Sequence, residues 1–137
     1  MIFDRATADT MHERRKRGGH LVSKHRFVAA QFAGFLADSN WLTWARHANR
    51  MADRLVQGLA RHSVAPVWPV EANIVFVVLP RAADARLRAA GASYYARDGA
   101  GAPEDIRMAP GDVFARLVTS FATTDTEVDR FADLVGG

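Results

Sequence analysis

Schiff-base chemistry on a bound carbonyl needs a primary amine, and this sequence offers few. Only Lys16 and Lys24 are lysines among its 18 basic residues. Any Schiff-base reaction must use one of these two or a lysine outside the sequence. The five histidines are His12, His20, His25, His47 and His62. None repeats at the i, i+4 spacing that sets two imidazoles on one helix face with a glutamate between them, so no metal site is expected. Cysteine is absent, which removes disulfides, thiolate catalysis and cysteine-based metal centres together. Ser23, Ser39, Ser63, Ser93 and Ser120 lack the glycine elbow of an activated hydroxyl. Asp4, Asp9, Glu13, Asp38 and Asp53 are spread along surface segments and suggest no catalytic carboxylate pair.

What remains is cationic. Arg14-Arg15-Lys16-Arg17 is followed by Gly18-Gly19. The run has three readings: a solvated charged face, a nucleic-acid contact, or a holder for a ligand phosphate. No aromatic platform is interleaved with it, which weakens the nucleic-acid reading. Lys24, about two turns farther on, could join a phosphate pocket. Arg116 is of another kind. It lies within Phe114-Ala115-Arg116-Leu117-Val118-Thr119, inside a predicted strand. There a guanidinium either faces water or meets an anion, and its planar fork fits a carboxylate bidentately.

The elements that must position these groups follow from apolar spacing. Leu21, Val28, Phe32 and Phe35 predict a helix from about His20 to Ala37. Asp38-Ser39-Asn40 offers a turn and caps. Trp41, Ala45, Ala48, Ala52, Leu55 and Leu59 recur at steps of three and four and define a second helix with a charged opposite face. Ile74-Val75-Phe76-Val77-Val78-Leu79 reads as a buried strand. Pro80 and Gly91 bracket a short helix. Ser93-Tyr94-Tyr95 reads as a strand, residues 96 to 112 as a loop, and Val113 to Phe121 as a strand. Thr124 and Glu127 have capping-box spacing before a last helix. Ile2-Phe3 reads as the end of a strand. The fold class is therefore α+β: two long helices, then a small, largely antiparallel sheet covered by helices.

With 137 residues, 49% of them hydrophobic and 24% charged, the chain has enough material for one real core. The net charge of +3 suits an anionic ligand without identifying one. The apolar runs are too short to cross a bilayer. Asp4 stands where a secretory signal would be apolar, so a cytoplasmic protein is expected.

Read together, several segments resemble one family. They are Arg14-Arg15-Lys16-Arg17-Gly18-Gly19-His20-Leu21 with Ser23-Lys24, Phe27-Val28-Ala29-Ala30-Gln31, and Trp41-Leu42 with Ala45-Arg46-His47-Ala48-Asn49. Pro69-Val70-Glu71-Ala72-Asn73 and Arg116-Leu117-Val118-Thr119-Ser120-Phe121-Ala122-Thr123 complete the set. In order and spacing they are similar to the C-terminal portion of bacterial low-specificity L-threonine aldolases. The stretch from Ala96 to Asp112 departs from the pattern and looks long.

The resemblance implies a fold-type I enzyme that uses pyridoxal 5'-phosphate (PLP), forms homo-oligomers, and cleaves threonine or allo-threonine to glycine and acetaldehyde. Arg116 would bind the carboxylate of a small amino-acid substrate. Lys24, and after it Lys16, would help hold the cofactor phosphate. The Schiff-base lysine is expected upstream of Met1, so the chain alone would be inactive. Neither nucleic acid nor membrane is then an expected partner. Residues 1–19 would be a remnant of the large-domain strand and linker, 20–62 a helical connection, and 63–137 the small C-terminal domain. The rival reading is a stand-alone basic α+β module that binds RNA or another anionic ligand.

Overall fold

A computed structural model describes residues 4–21, 23–97 and 101–137. The strand expected at Ile2-Phe3 and three positions of the long loop lie outside those residues. The chain divides into two compact units, residues 1–40 and 41–137.

The first unit is helical. Helix α1 covers Arg5–Arg17, where the sequence suggested a linker. Its start is fixed by Asp4, whose carboxylate accepts from the Thr7 amide at 2.7 Å. Bonds from the Thr7 side chain and then its amide hold the Asp4 carboxyl below the usual carboxylate range. Arg14, Arg15, Lys16 and Arg17 fill the last turn, where cations complement the negative end of the helix dipole. The Gly18 amide closes the helix on the Arg14 carbonyl at 2.9 Å, and Gly19 takes φ +70°, which glycine adopts without strain. The expected helix 20–37 begins later, at His25. Lys24 sits in the left-handed region (φ 67°, ψ 36°), which a helix interior does not allow. Helix α2 thus covers His25–Leu36. A single 3-10 turn, Ala37–Ser39, follows.

The second unit carries the core. Helix α3, Asn40–Ala60, buries Ala48, Met51, Ala52, Leu55, Gly58 and Leu59 on one stripe. Trp41, expected on that stripe, is 40% exposed. Strand β1 is Ile74–Leu79, helix α4 is Arg81–Ala89, strand β2 is Tyr95–Arg97, strand β3 is Val113–Val118, and helix α5 is Asp125–Gly136. The sheet order is β1-β3-β2, with β3 antiparallel to both neighbours. β1 and β2 therefore run the same way, and the strand that comes last in sequence sits between them, a split βαβ arrangement. Val75, Val77 and Leu79 of β1 and Ala115 and Leu117 of β3 face the helices and are buried together with Leu55, Leu59, Leu87 and Val128.

Several contacts fix this packing. A Cβ added at Gly58 would lie 2.7 Å from the Ala132 Cβ, so only glycine allows α3 and α5 to approach this closely. The Thr119 hydroxyl, buried, donates to the Ala48 carbonyl at 2.7 Å and ties the end of β3 to α3. Arg86 donates to the Leu134 and Val135 carbonyls at 2.9 and 2.7 Å, closing α5. The expected capping box is present: Thr124 and Glu127 exchange side-chain and backbone bonds at the start of α5.

β2 is displaced by two residues from the expected Ser93-Tyr94-Tyr95. Tyr94 turns inward instead. Its hydroxyl donates to Asp84 at 2.7 Å, its ring meets Phe131, and burial pushes its hydroxyl pKa upward. Pairing with Phe114, Ala115 and Arg116 then draws Ala96 and Arg97 into the strand, although nothing local marks them for it.

Candidate functional site

The sheet has a second face. Alternation along the strands sends Ile74, Phe76 and Val78 of β1, Phe114, Arg116 and Val118 of β3, and Tyr95 and Arg97 of β2 to the side away from the core. Part of this face is closed by aromatic packing. Trp68 meets the rings of Phe76 and Phe114 edge-on, with centroids 4.9 and 5.6 Å away, and these two rings stack on each other at 5.7 Å. The rest is open: Ile74, Tyr95 and Val118 are 40–56% exposed.

Arg116 occupies the centre of this face. Its Cα pairs with Phe76 on one side and Tyr95 on the other. The guanidinium lies 5.0 Å from the centroid of the Tyr95 ring, within cation–π range, and is exposed. Among the described residues it makes no ion pair and no hydrogen bond. Three other arginines of this unit differ in this respect. Arg54 forks onto Asp129 at 2.8 and 2.6 Å and reaches Asp125 at 3.0 Å. Arg86 is spent on the α5 carbonyls, and Arg88 on Asp84. Arg116 is thus placed by the sheet and left with its carboxylate-binding fork unused.

Two cavities open elsewhere on this unit. One, of about 500 Å³, lies between residues 90–94, the end of β3 and α5, with Leu55, Tyr94, Val128 and Phe131 in its walls. The other, about 410 Å³, lies along α3 beside His47, Arg50 and Arg54. Arg116 lines neither, and no lysine lines either.

Lys16 and Lys24 belong to the first unit. Lys16 stands in the last turn of α1, and Lys24 just precedes α2; both are exposed. They could supply positive charge to a phosphate, but the described residues build no enclosure around either amine. The described residues of this chain by themselves do not form a complete PLP site. No group of three or more potential metal ligands occurs among the described residues.

Tyr95 and Arg97 were not singled out from the sequence. The signal available was the i, i+2 spacing of Tyr95 and Arg97, which puts both on one face once a strand is assigned there. Three other residues within the quoted motifs, His47, Asn73 and Thr119, make structural bonds. His47 Nε2 bonds the Thr123 carbonyl at 2.7 Å, and the Asn73 side chain donates to the Thr119 carbonyl at 2.6 Å.

No protein-family model matches the chain. Curated relatives do. The low specificity L-threonine aldolase of Pseudomonas aeruginosa is 37% identical over 135 residues, which is 98% of this chain and 35% of that protein. A second protein of the same description, from a Pseudomonas species, is 34% identical over 133 residues. The chain spans about a third of the length of these relatives. Among solved structures, a threonine aldolase of Leishmania major superposes with a TM-score of 0.77 at 26% identity, covering 90% of this chain and 34% of that one. A Sphingomonas wittichii serine palmitoyltransferase shares the fold alone, with a TM-score of 0.52 at 18% identity over 66% of this chain. The fold is thus the α+β arrangement found within fold-type I enzymes. These similarities give no support to a stand-alone RNA-binding module.

Proposed function

We propose that this chain is the C-terminal part of a PLP-dependent lyase that cleaves threonine-type β-hydroxy amino acids to glycine and an aldehyde. The single observation that carries the reading is Arg116. It stands on the open sheet face with an unused guanidinium, in a stretch similar in sequence to L-threonine aldolases.

In this reading Arg116 clamps the substrate carboxylate through two parallel N–H donors and so orients the amino acid. The central strand beneath it restricts its swing, and the Tyr95 ring supports its flat face. When bound, PLP supplies an electron sink for the charge that develops at Cα. Lys24, with Lys16 second, contributes positive charge toward its phosphate. The cofactor-holding lysine lies in residues that precede this sequence, and the chain is inactive without them. Residues 1–19 then link to the large domain, 20–62 form the connection, and 63–137 the small domain. The complete protein is a cytoplasmic homo-oligomer acting on a small amino acid.

The test is to fuse this chain behind the first two thirds of the Pseudomonas aeruginosa relative and assay acetaldehyde released from L-threonine. Activity in the fusion, with KM for threonine raised by Arg116→Ala, supports the reading. A folded, PLP-loaded fusion whose kinetics ignore Arg116→Ala removes the assignment.

A further inference from the structure

A second guanidinium shares the open face with Arg116. Arg97 follows Tyr95 by two positions on β2, so the two side chains project to the same side. The Arg97 guanidinium lies 4.8 Å from the centroid of the Tyr95 ring. Its Nε donates to the Tyr95 hydroxyl at 2.7 Å, and a second guanidinium nitrogen donates to the same oxygen. Arg116 reaches that ring from the facing strand at 5.0 Å. One tyrosine therefore carries two cations.

Among the described residues neither guanidinium has a carboxylate partner. Like charges close together across a strand pair repel, and the face of one ring offsets that only in part. Among the described residues the arrangement lacks an anion, and its two positive centres on one small surface favour a ligand with two negative ends. A monoanion would neutralise one of them.

We infer that Arg97 and Arg116, spaced by Tyr95, form a two-point site for a ligand with two carboxylates. The α-carboxylate sits on Arg116 and a second, side-chain carboxylate on Arg97. This rests on the carboxylate role assigned to Arg116 above and adds a substrate class to it: β-hydroxy amino acids whose side chain ends in an acid. Arg97 is then a specificity-determining residue. Tyr95 is a positioning residue that holds both guanidinium planes through its ring and fixes Arg97 through its hydroxyl.

The test is a titration of the full chain with acetate and with succinate at constant ionic strength, followed by backbone amide shifts of Tyr95, Arg97 and Arg116. Succinate is expected to bind at least tenfold more tightly than acetate. Arg97→Gln should bring succinate down to the acetate level and leave acetate unchanged, while Arg97→Lys should restore part of the difference. Arg116→Gln should weaken both ligands. Equal affinities for the two ligands, or a preference for succinate that survives Arg97→Gln, would overturn the inference while leaving Arg116 in its role. Acetate binding that ignores Arg116→Gln would count against the Arg116 assignment itself, and no binding of either ligand would overturn both.

Discussion

Arg116 and Arg54 are the same residue type in opposite circumstances. Arg54 is held by Asp125 and Asp129, so its charge serves the α3–α5 contact. Among the described residues Arg116 has no such partner, and its charge is available to a ligand. If the complete protein is the lyase proposed above, replacing it with alanine should raise KM for the amino acid by roughly ten- to a hundredfold, since a hydrogen bond to a charged group contributes about 1.5–3 kcal/mol; steady-state kinetics read this directly. The Arg54 contact makes a different prediction. The Arg54 guanidinium holds the Asp129 carboxyl below the usual carboxylate range, and bonds from Thr124 do the same for Glu127. A carboxyl whose pKa is lower in the folded chain stabilises it above the unfolded value and loses that contribution as pH falls through the folded value. The melting temperature should therefore drop as pH falls below the ordinary carboxylate range. Asp129→Asn should flatten that drop in a thermal-melt series across pH.

At the scale of elements, caps and close contacts decide. Thr124→Ala removes one half of the capping box and should cost about 1 kcal/mol in a denaturant titration. Gly58→Leu forces a side chain into the space where α3 meets Ala132 and should cost about 1–3 kcal/mol or more by the same measurement. These elements were largely legible beforehand. The α3 stripe, the β-branched run of β1, and the Thr124 and Glu127 spacing are local patterns with local physical causes. What the pattern did not disclose was settled by partners distant in sequence. β2 includes Ala96 and Arg97 because Phe114 to Arg116 pair with them. The N-terminus of α2 is set by the left-handed backbone at Lys24, a residue that carries no glycine-like signal. Arg116 was visible as an oddity in a strand. The pairing that gives it Tyr95 and Arg97 was not, because cross-strand register is a property of the folded sheet.

For the whole molecule, the division into two units carries the next expectation. The core residues Val75, Val77, Leu79, Leu87, Ala115 and Leu117 all belong to residues 41–137, and helices α1 and α2 bury none of their own. Residues 41–137 expressed alone should unfold cooperatively, at nearly the midpoint of the full chain. Helix α2 meanwhile exposes Phe27, Val28, Phe32 and Leu36, with Phe32 at 62%. Apolar area of this kind promotes association. Light scattering should show the full chain aggregating with concentration more than the shorter one, and Phe32→Glu should reduce the difference.

The strand order has a consequence for how the chain is made. β3 lies between β1 and β2 but is translated after both. While the ribosome is still working toward residue 113, the two flanking strands lack the strand that both pair with, and β1 has only its short bridge to Pro66 and Val67. A nascent chain arrested before Val118 leaves the tunnel holding the pieces of a sheet but no sheet, and a holding chaperone would have its greatest use in that interval.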